Sequence, residues 1–156
     1  MRQRRVDRRV GWGRRENAAL GHLRTLVSAQ AAYASANGLL YGTPECLVKP
    51  TGPGCIPDYP TGAPVFVDAS CVEARRGGFV YMFHPGPRPS AEKIRAANAG
   101  AGSLERFAYV AVPAVPGRSA TRAFCTDESG AIRVSNDGTM PVIVDARCPE
   151  SLELVR

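Results

Sequence analysis

The feature that most constrains this chain is an amphipathic pattern between Glu16 and Gly38. At about 100° per residue, the large apolar residues of this stretch fall on one broad side, and small residues fall on the other. Asn37-Gly38 is a stop signal, because glycine accepts the left-handed conformation that closes a helix. The pattern therefore predicts one helix over residues 16–37, packed across a sheet. The large-residue side consists of Ala19, Leu20, Leu23, Leu26, Val27, Gln30, Ala31, Tyr33 and Ala34, and the small-residue side of Ala18, Thr25, Ser28, Ala29, Ala32, Ser35 and Ala36.

The positive charge is concentrated before this helix. Residues 1–15 contain seven arginines and Asp7, a balance of +6 that equals the formal net charge of the whole chain. The rest of the chain is therefore close to neutral, and the high isoelectric point describes an arm and not a basic surface. We predict a flexible arm over residues 1–15, irregular through residue 13. It is either a disordered tail or a ligand for phosphates, anionic lipid headgroups or an acidic partner. Its basic residues include Arg4, Arg5, Arg8, Arg9, Arg14 and Arg15.

Five cysteines, at positions 46, 55, 71, 125 and 148, indicate disulfides. No CxxC motif is present, which argues against zinc-ribbon, thioredoxin and c-type haem sites. Cys46 and Cys55 bound a short part of the Pro- and Gly-rich loop over residues 39–77, and we predict that they are bonded to each other. For the second bond Cys125–Cys148 is favoured, which leaves Cys71 over. Cys71–Cys148 is the alternative, since connectivity does not follow from sequence.

The second half of the chain has the pattern of an antiparallel sheet. Alternating or β-branched runs predict about four strands, at residues 78–84, 107–112, 121–126 and 131–134. Weaker candidates are a strand at 65–67, an edge strand at 142–144 and a helical turn at 91–97. Short turns between successive strands favour a meander. The expected fold class is α+β, with one domain over residues 16–156: helix 16–37, loop 39–77, sheet 78–145 and C-terminal segment 146–156.

Few residues are candidates for chemistry. Nothing in the sequence places His22 or His84 beside a nucleophile, and Ser129-Gly130 lacks the GxSxG pattern. We therefore expect no enzyme activity, no metal and no cofactor.

Two stretches resemble type IV pilin-like proteins, including pseudopilins. The helix sequence HLRTLVSAQAAYAS, His22 to Ser35, is similar to the pattern SLRT-x-x-x-AQ-x-x-Y-A-S of that family, and Arg14–Ala19 resembles the point where the pilin helix leaves the membrane. The segments 116–118 and 121–133 are similar to its late hairpin. The family's apolar N-terminal run of about 20 residues is not found here. Some arrangements in the family place that helix on a separate short chain. Some pilin-like secretion proteins bind calcium in a loop near the sheet, and Asp58 and Asp68 lie where such a loop would be, although no set of ligands can be aligned.

The resemblance implies a structural subunit of an extracellular type IV pilus-like or pseudopilus filament, which self-associates through its N-terminal helix. The implied partners are other copies of this chain and a separate short apolar helical chain, with nucleic acid a weak candidate and no transmembrane span expected here. The alternative is a minor pilin or exported binding module for adhesion or DNA uptake. Under the first interpretation the small side of the helix is the assembly interface. The competing explanation is that alanines only favour helix and face water. The interface would comprise Ala18, Thr25, Ala29, Ala32 and Ala36.

Overall fold

The computed structural model describes the backbone of residues 2–156 and the side chains of residues 13–156. One long helix precedes a six-stranded antiparallel sheet, so the fold class is α+β. The helices are α1 (Arg2–Ala36), α2 (Pro44–Val48) and α3 (Ala91–Ala97); the strands are β1 (Arg75–Arg76), β2 (Phe79–Pro85), β3 (Phe107–Pro113), β4 (Ala123–Asp127), β5 (Ile132–Ser135) and β6 (Glu153–Leu154).

Helix α1 begins at Arg2, whereas the sequence pattern placed its start at Glu16 and an irregular segment before it. Arginine is a good helix former, and an isolated glycine in a helix costs only about 1 kcal/mol relative to alanine. Gly11 and Gly13 therefore do not interrupt the helical backbone. No helix in the described part of the chain is both long and apolar enough to cross a membrane.

The sheet is a meander whose strands lie in sequence order from β1 to β6. The four predicted strands are β2 to β5. The two edge strands were not predicted, because strands of two residues are too short to show an alternating pattern. Neither weaker candidate strand forms: residues 65–67 are irregular, and the segment at 142–144 contributes only an isolated bridge between Val144 and Arg147.

Helix α1 packs against two different partners along its length. Its residues from Ala19 to Leu26 cover the sheet, where Leu23 is completely buried among aromatic side chains such as Phe79 and Phe124. Its residues from Ala29 to Tyr33 instead contact the loop that follows the helix. Tyr33 was predicted to face the sheet. It is buried as expected, but its ring packs edge-on against Phe66 of the loop. The loop folds over this end of the helix and takes the place that the sheet was expected to fill.

Two disulfides hold the segments that lie outside helix and sheet. Cys46, on α2, is bonded to Cys55 within the loop. Cys125, on β4, is bonded to Cys148 and fixes the C-terminal segment to the face of the sheet away from α1, where both sulfurs lie beside Val110. Cys71 is free. These are the favoured pairings, and they exclude the alternative Cys71–Cys148 bond. Disulfides of this kind are typical of exported proteins.

Candidate assembly surface

The exposed side of α1 is a continuous stripe of mostly small residues. Exposed positions recur every three or four residues from Arg14 to Ala36, which is the spacing of one helix face. Arg24 is the only exposed charged residue of α1 after Arg15. The stripe, called the small-residue face below, contains Ala18, Gly21, Thr25, Ser28, Ala32, Ser35 and Ala36.

Ala29 does not belong to this face, although the sequence pattern assigned it to the interface. It is 6% exposed and packs with Tyr33 and the Cys46–Cys55 loop. The reason is that α1 is covered on two sides, by the sheet and by the loop, whereas the helical pattern alone was read as having one covered side. Four of the five predicted interface residues are exposed: Ala18, Thr25, Ala32 and Ala36.

Glu16 joins α1 to the segment that precedes β4. Its carboxylate is 6% exposed and accepts hydrogen bonds from the backbone N–H groups of Thr121 and Arg122, at 3.2 and 3.1 Å. The Arg122 guanidinium donates to the same carboxylate at 2.9 Å. A buried carboxylate is stable only when it is paired and hydrogen-bonded, and this one is both. The contact holds this part of α1 against the segment that precedes β4.

Two buried polar residues orient the other end of the helix. The Gln30 amide donates to the carbonyl of Gly42 at 2.7 Å and accepts from its N–H at 3.1 Å, as a neighbouring β-strand would. Asn37 accepts from the N–H of Gly100 at 3.0 Å and donates to Ser103. The helical pattern placed Gln30 on the large-residue side of the helix and indicated no role for it. A polar side chain in the middle of an apolar helix face was the available signal.

The predicted basic arm is only partly within the described side chains. Arg4, Arg5, Arg8 and Arg9 lie outside them. Arg14 is exposed, and the Arg15 guanidinium donates to the carbonyl of Ser119 at 3.1 Å. Arg15 therefore contacts the folded domain.

Among the described residues, no hydrogen bond joins either histidine to a serine, threonine or cysteine side chain. His22 lies against the Tyr81 ring, with its Nε2 3.0 Å from the carbonyl oxygen of Cys71. The Nε2 of His84 is buried without a hydrogen-bond partner in the described structure. The calcium candidates Asp58 and Asp68 are exposed, and no group of three or more potential metal ligands occurs among the described residues.

We expect His22 to make stability depend on pH. Burial, and secondarily the positive charge of Arg76, lower the pKa of His22 below its ordinary value of 6.5. The native state therefore binds fewer protons than the unfolded state, so the contribution is present above about pH 6.5 and is lost as the pH falls below it. The free energy of unfolding should decrease between about pH 7 and 5.5, and the decrease should be smaller in His22→Gln, whose amide can keep the bond to Cys71.

Urea denaturation at several pH values measures this effect. Burial also lowers the pKa of His84, so His84→Gln is the matched variant that separates the two contributions. An identical pH dependence in wild type and His22→Gln would contradict the assignment to His22.

No protein-family model matches this chain, and neither a curated protein nor a solved structure matches it.

Proposed function

We propose that this protein is a structural subunit of an extracellular type IV pilus-like or pseudopilus filament, and that it self-associates through the small-residue face of α1. The proposal rests on the resemblance of two separate stretches, within residues 14–35 and 116–133, to type IV pilin-like proteins. The observation that supports it most is the division of α1 into a covered side and an exposed side of small residues.

The exposed side is suited to helix–helix contact. Small side chains let two helix backbones approach closely, and the face between Gly21 and Ala36 presents one charged group, Arg24. Thr25 and Ser35 do not disturb such a contact, because their hydroxyls donate to carbonyls of their own helix, at 3.1 Å each. The sheet and the loop occupy the rest of the helix surface, so a second helix would dock on the opposite side.

The exported character of the protein is part of the same proposal. The two disulfides support an oxidising location. An extracellular filament is consistent with them and with the proposed copies of this chain as partners.

The test places a bulky charge on the small-residue face. Ala32→Glu is expected to abolish filaments while changing the free energy of unfolding by less than about 0.5 kcal/mol, because Ala32 is exposed. Electron microscopy of the native source measures filaments, and denaturant unfolding of the purified chain measures stability. Ala29→Arg is unsuitable here, because Ala29 is part of the core.

Two control variants distinguish the interface from a general effect of charge. Ala32→Ser keeps the side chain small and should retain filaments. Ala96→Glu places the same charge on an exposed alanine of α3, outside the small-residue face, and should also retain them. Normal filaments with Ala32→Glu would refute assembly through this face.

A further inference from the structure

A groove separates α1 from the β6 edge of the sheet. It has a volume of about 930 Å³ and lies between Asn17 and Leu20 of the helix and the segment from Glu153 to Arg156. Within the described chain, no strand pairs with the far side of β6, which is the last strand of the sheet. We infer that this groove binds an extended polypeptide segment that carries carboxylate side chains, by addition of a strand to β6. The inference does not depend on filament formation.

The backbone geometry of β6 leaves hydrogen-bonding groups free for such a strand. Val155 donates its N–H to the carbonyl of Ile132 at 2.8 Å, so this residue is hydrogen-bonded to β5. The adjacent pair, Leu154 and Arg133, is then a non-hydrogen-bonded pair of the antiparallel ladder. The N–H and C=O of Leu154 consequently point away from β5, toward the open edge. An added extended chain can pair with both groups, whereas a small anion can accept from the N–H but cannot donate to the C=O.

The charges around the groove select a carboxylate-bearing segment. Three arginines line it, Arg122, Arg133 and Arg156, and Glu153 is the acidic residue of its lining. On the face of the sheet away from α1, Arg133 also lines a depression with Asp127, Glu128 and Glu150. Arg122 is already paired with Glu16 at 2.8 Å. Arg133 has no carboxylate within ion-pair distance among the described residues.

Arg133 is also held in position before any ligand arrives. Its guanidinium donates to the carbonyls of Glu150 and Leu152, at 3.1 and 2.8 Å. Both acceptors are neutral, so they fix the group without cancelling its charge. The remaining N–H groups can donate to a carboxylate in the geometry that guanidinium favours.

The two faces of the sheet differ at the β6 edge, and this difference defines which side chains the bound segment should alternate. On the α1 side the floor is apolar, with Leu20 and Val134 both buried. Arg133 lies on the opposite face, since side chains alternate along β5. A segment that alternates apolar and acidic residues presents its apolar side chains to Leu20 and Val134 and its carboxylates to Arg133.

The experiment uses the full chain and two fluorescein-labelled hexapeptides, one alternating valine and glutamate and the other alternating valine and glutamine. Fluorescence anisotropy at physiological salt should show binding of the glutamate peptide and at least about tenfold weaker binding of the glutamine peptide. Arg133→Gln should weaken binding of the glutamate peptide by about the same factor. Arg95→Gln, an exposed arginine on α3, should leave the affinity unchanged within about twofold.

A second pair of variants tests strand addition separately. Leu154→Pro removes the outward N–H but leaves the bonds between β5 and β6, since proline is tolerated where an edge N–H faces solvent. It should weaken binding of the glutamate peptide at least about fivefold, whereas Leu154→Ala, which keeps the N–H, should weaken that binding less than about twofold. The amide resonance of Leu154 should shift on binding.

Several outcomes would overturn the inference. Absence of binding, equal affinity for the two peptides, or unchanged affinity in Arg133→Gln would show that Arg133 does not select a carboxylate in this groove. Two results together would identify a small-anion site and exclude strand addition. The first is unchanged affinity of Leu154→Pro for the glutamate peptide, and the second is displacement of that peptide by acetate at the same concentration of carboxylate.

Discussion

Replacing Leu23 with alanine is expected to lower the free energy of unfolding by about 2–5 kcal/mol. Leu23 has no exposed surface and lies where α1 covers the aromatic residues of the sheet. The truncation removes buried methyl groups and leaves a cavity, and the surrounding rings are large and rigid, so they close it only partly.

The matched control is Ser28→Ala on the small-residue face, which is expected to change the free energy of unfolding by less than about 0.5 kcal/mol. Equilibrium denaturation in urea measures both variants under the same conditions. Similar losses for the two would mean that the sides of α1 have been assigned wrongly.

Replacing both Cys125 and Cys148 with alanine should also lower the free energy of unfolding by a large amount. The bond joins residues 23 positions apart. In the chain-entropy description, a loop of that length contributes about 3.4 kcal/mol of stability through the unfolded state. The loss of burial beside Val110 adds to this, since the sulfur of Cys125 is fully buried.

The other disulfide supplies the comparison. Cys46 and Cys55 are 9 positions apart, and the same description gives about 2.7 kcal/mol for that loop. Unfolding of the two double-alanine variants should therefore show the larger loss for Cys125/Cys148. A larger loss for Cys46/Cys55 would indicate that its effect comes from native packing around Tyr33 and Leu47 and not from chain entropy.

The parts of the fold that follow from local patterns could be predicted from the sequence. The end of α1 is encoded by Asn37-Gly38, and the four central strands by alternation between turn residues. The short helix α3 has the expected bounds, with Ser90 capping its first turn through a bond to the N–H of Lys93. The Cys46–Cys55 bond followed from the short loop between the two residues.

The remaining features depend on tertiary contacts that have no local signature. Ala29 and Ala32 are the same residue type on one predicted face, yet the loop buries the first and leaves the second exposed. Strands β1 and β6 exist because β2 and β5 provide edges to pair with, not because Arg75 or Glu153 favours a strand. The groove beside β6 depends on the second of these effects, the pairing of β6 with β5, and had no signature in the sequence.

The sequential order of the sheet has a consequence for how the protein folds. Each strand pairs with its neighbour in the chain, so the sheet can grow by the successive pairing of neighbouring strands. Helix α1 is different, because it precedes the sheet that it covers and must wait for β3 and β4. Oxidation should follow the same order. Cys46 and Cys55 can meet as soon as their loop exists, whereas Cys148 must lie against β3 and β4 to meet Cys125. We therefore expect oxidation of the Cys125–Cys148 pair to report the docking of the C-terminal segment on the sheet.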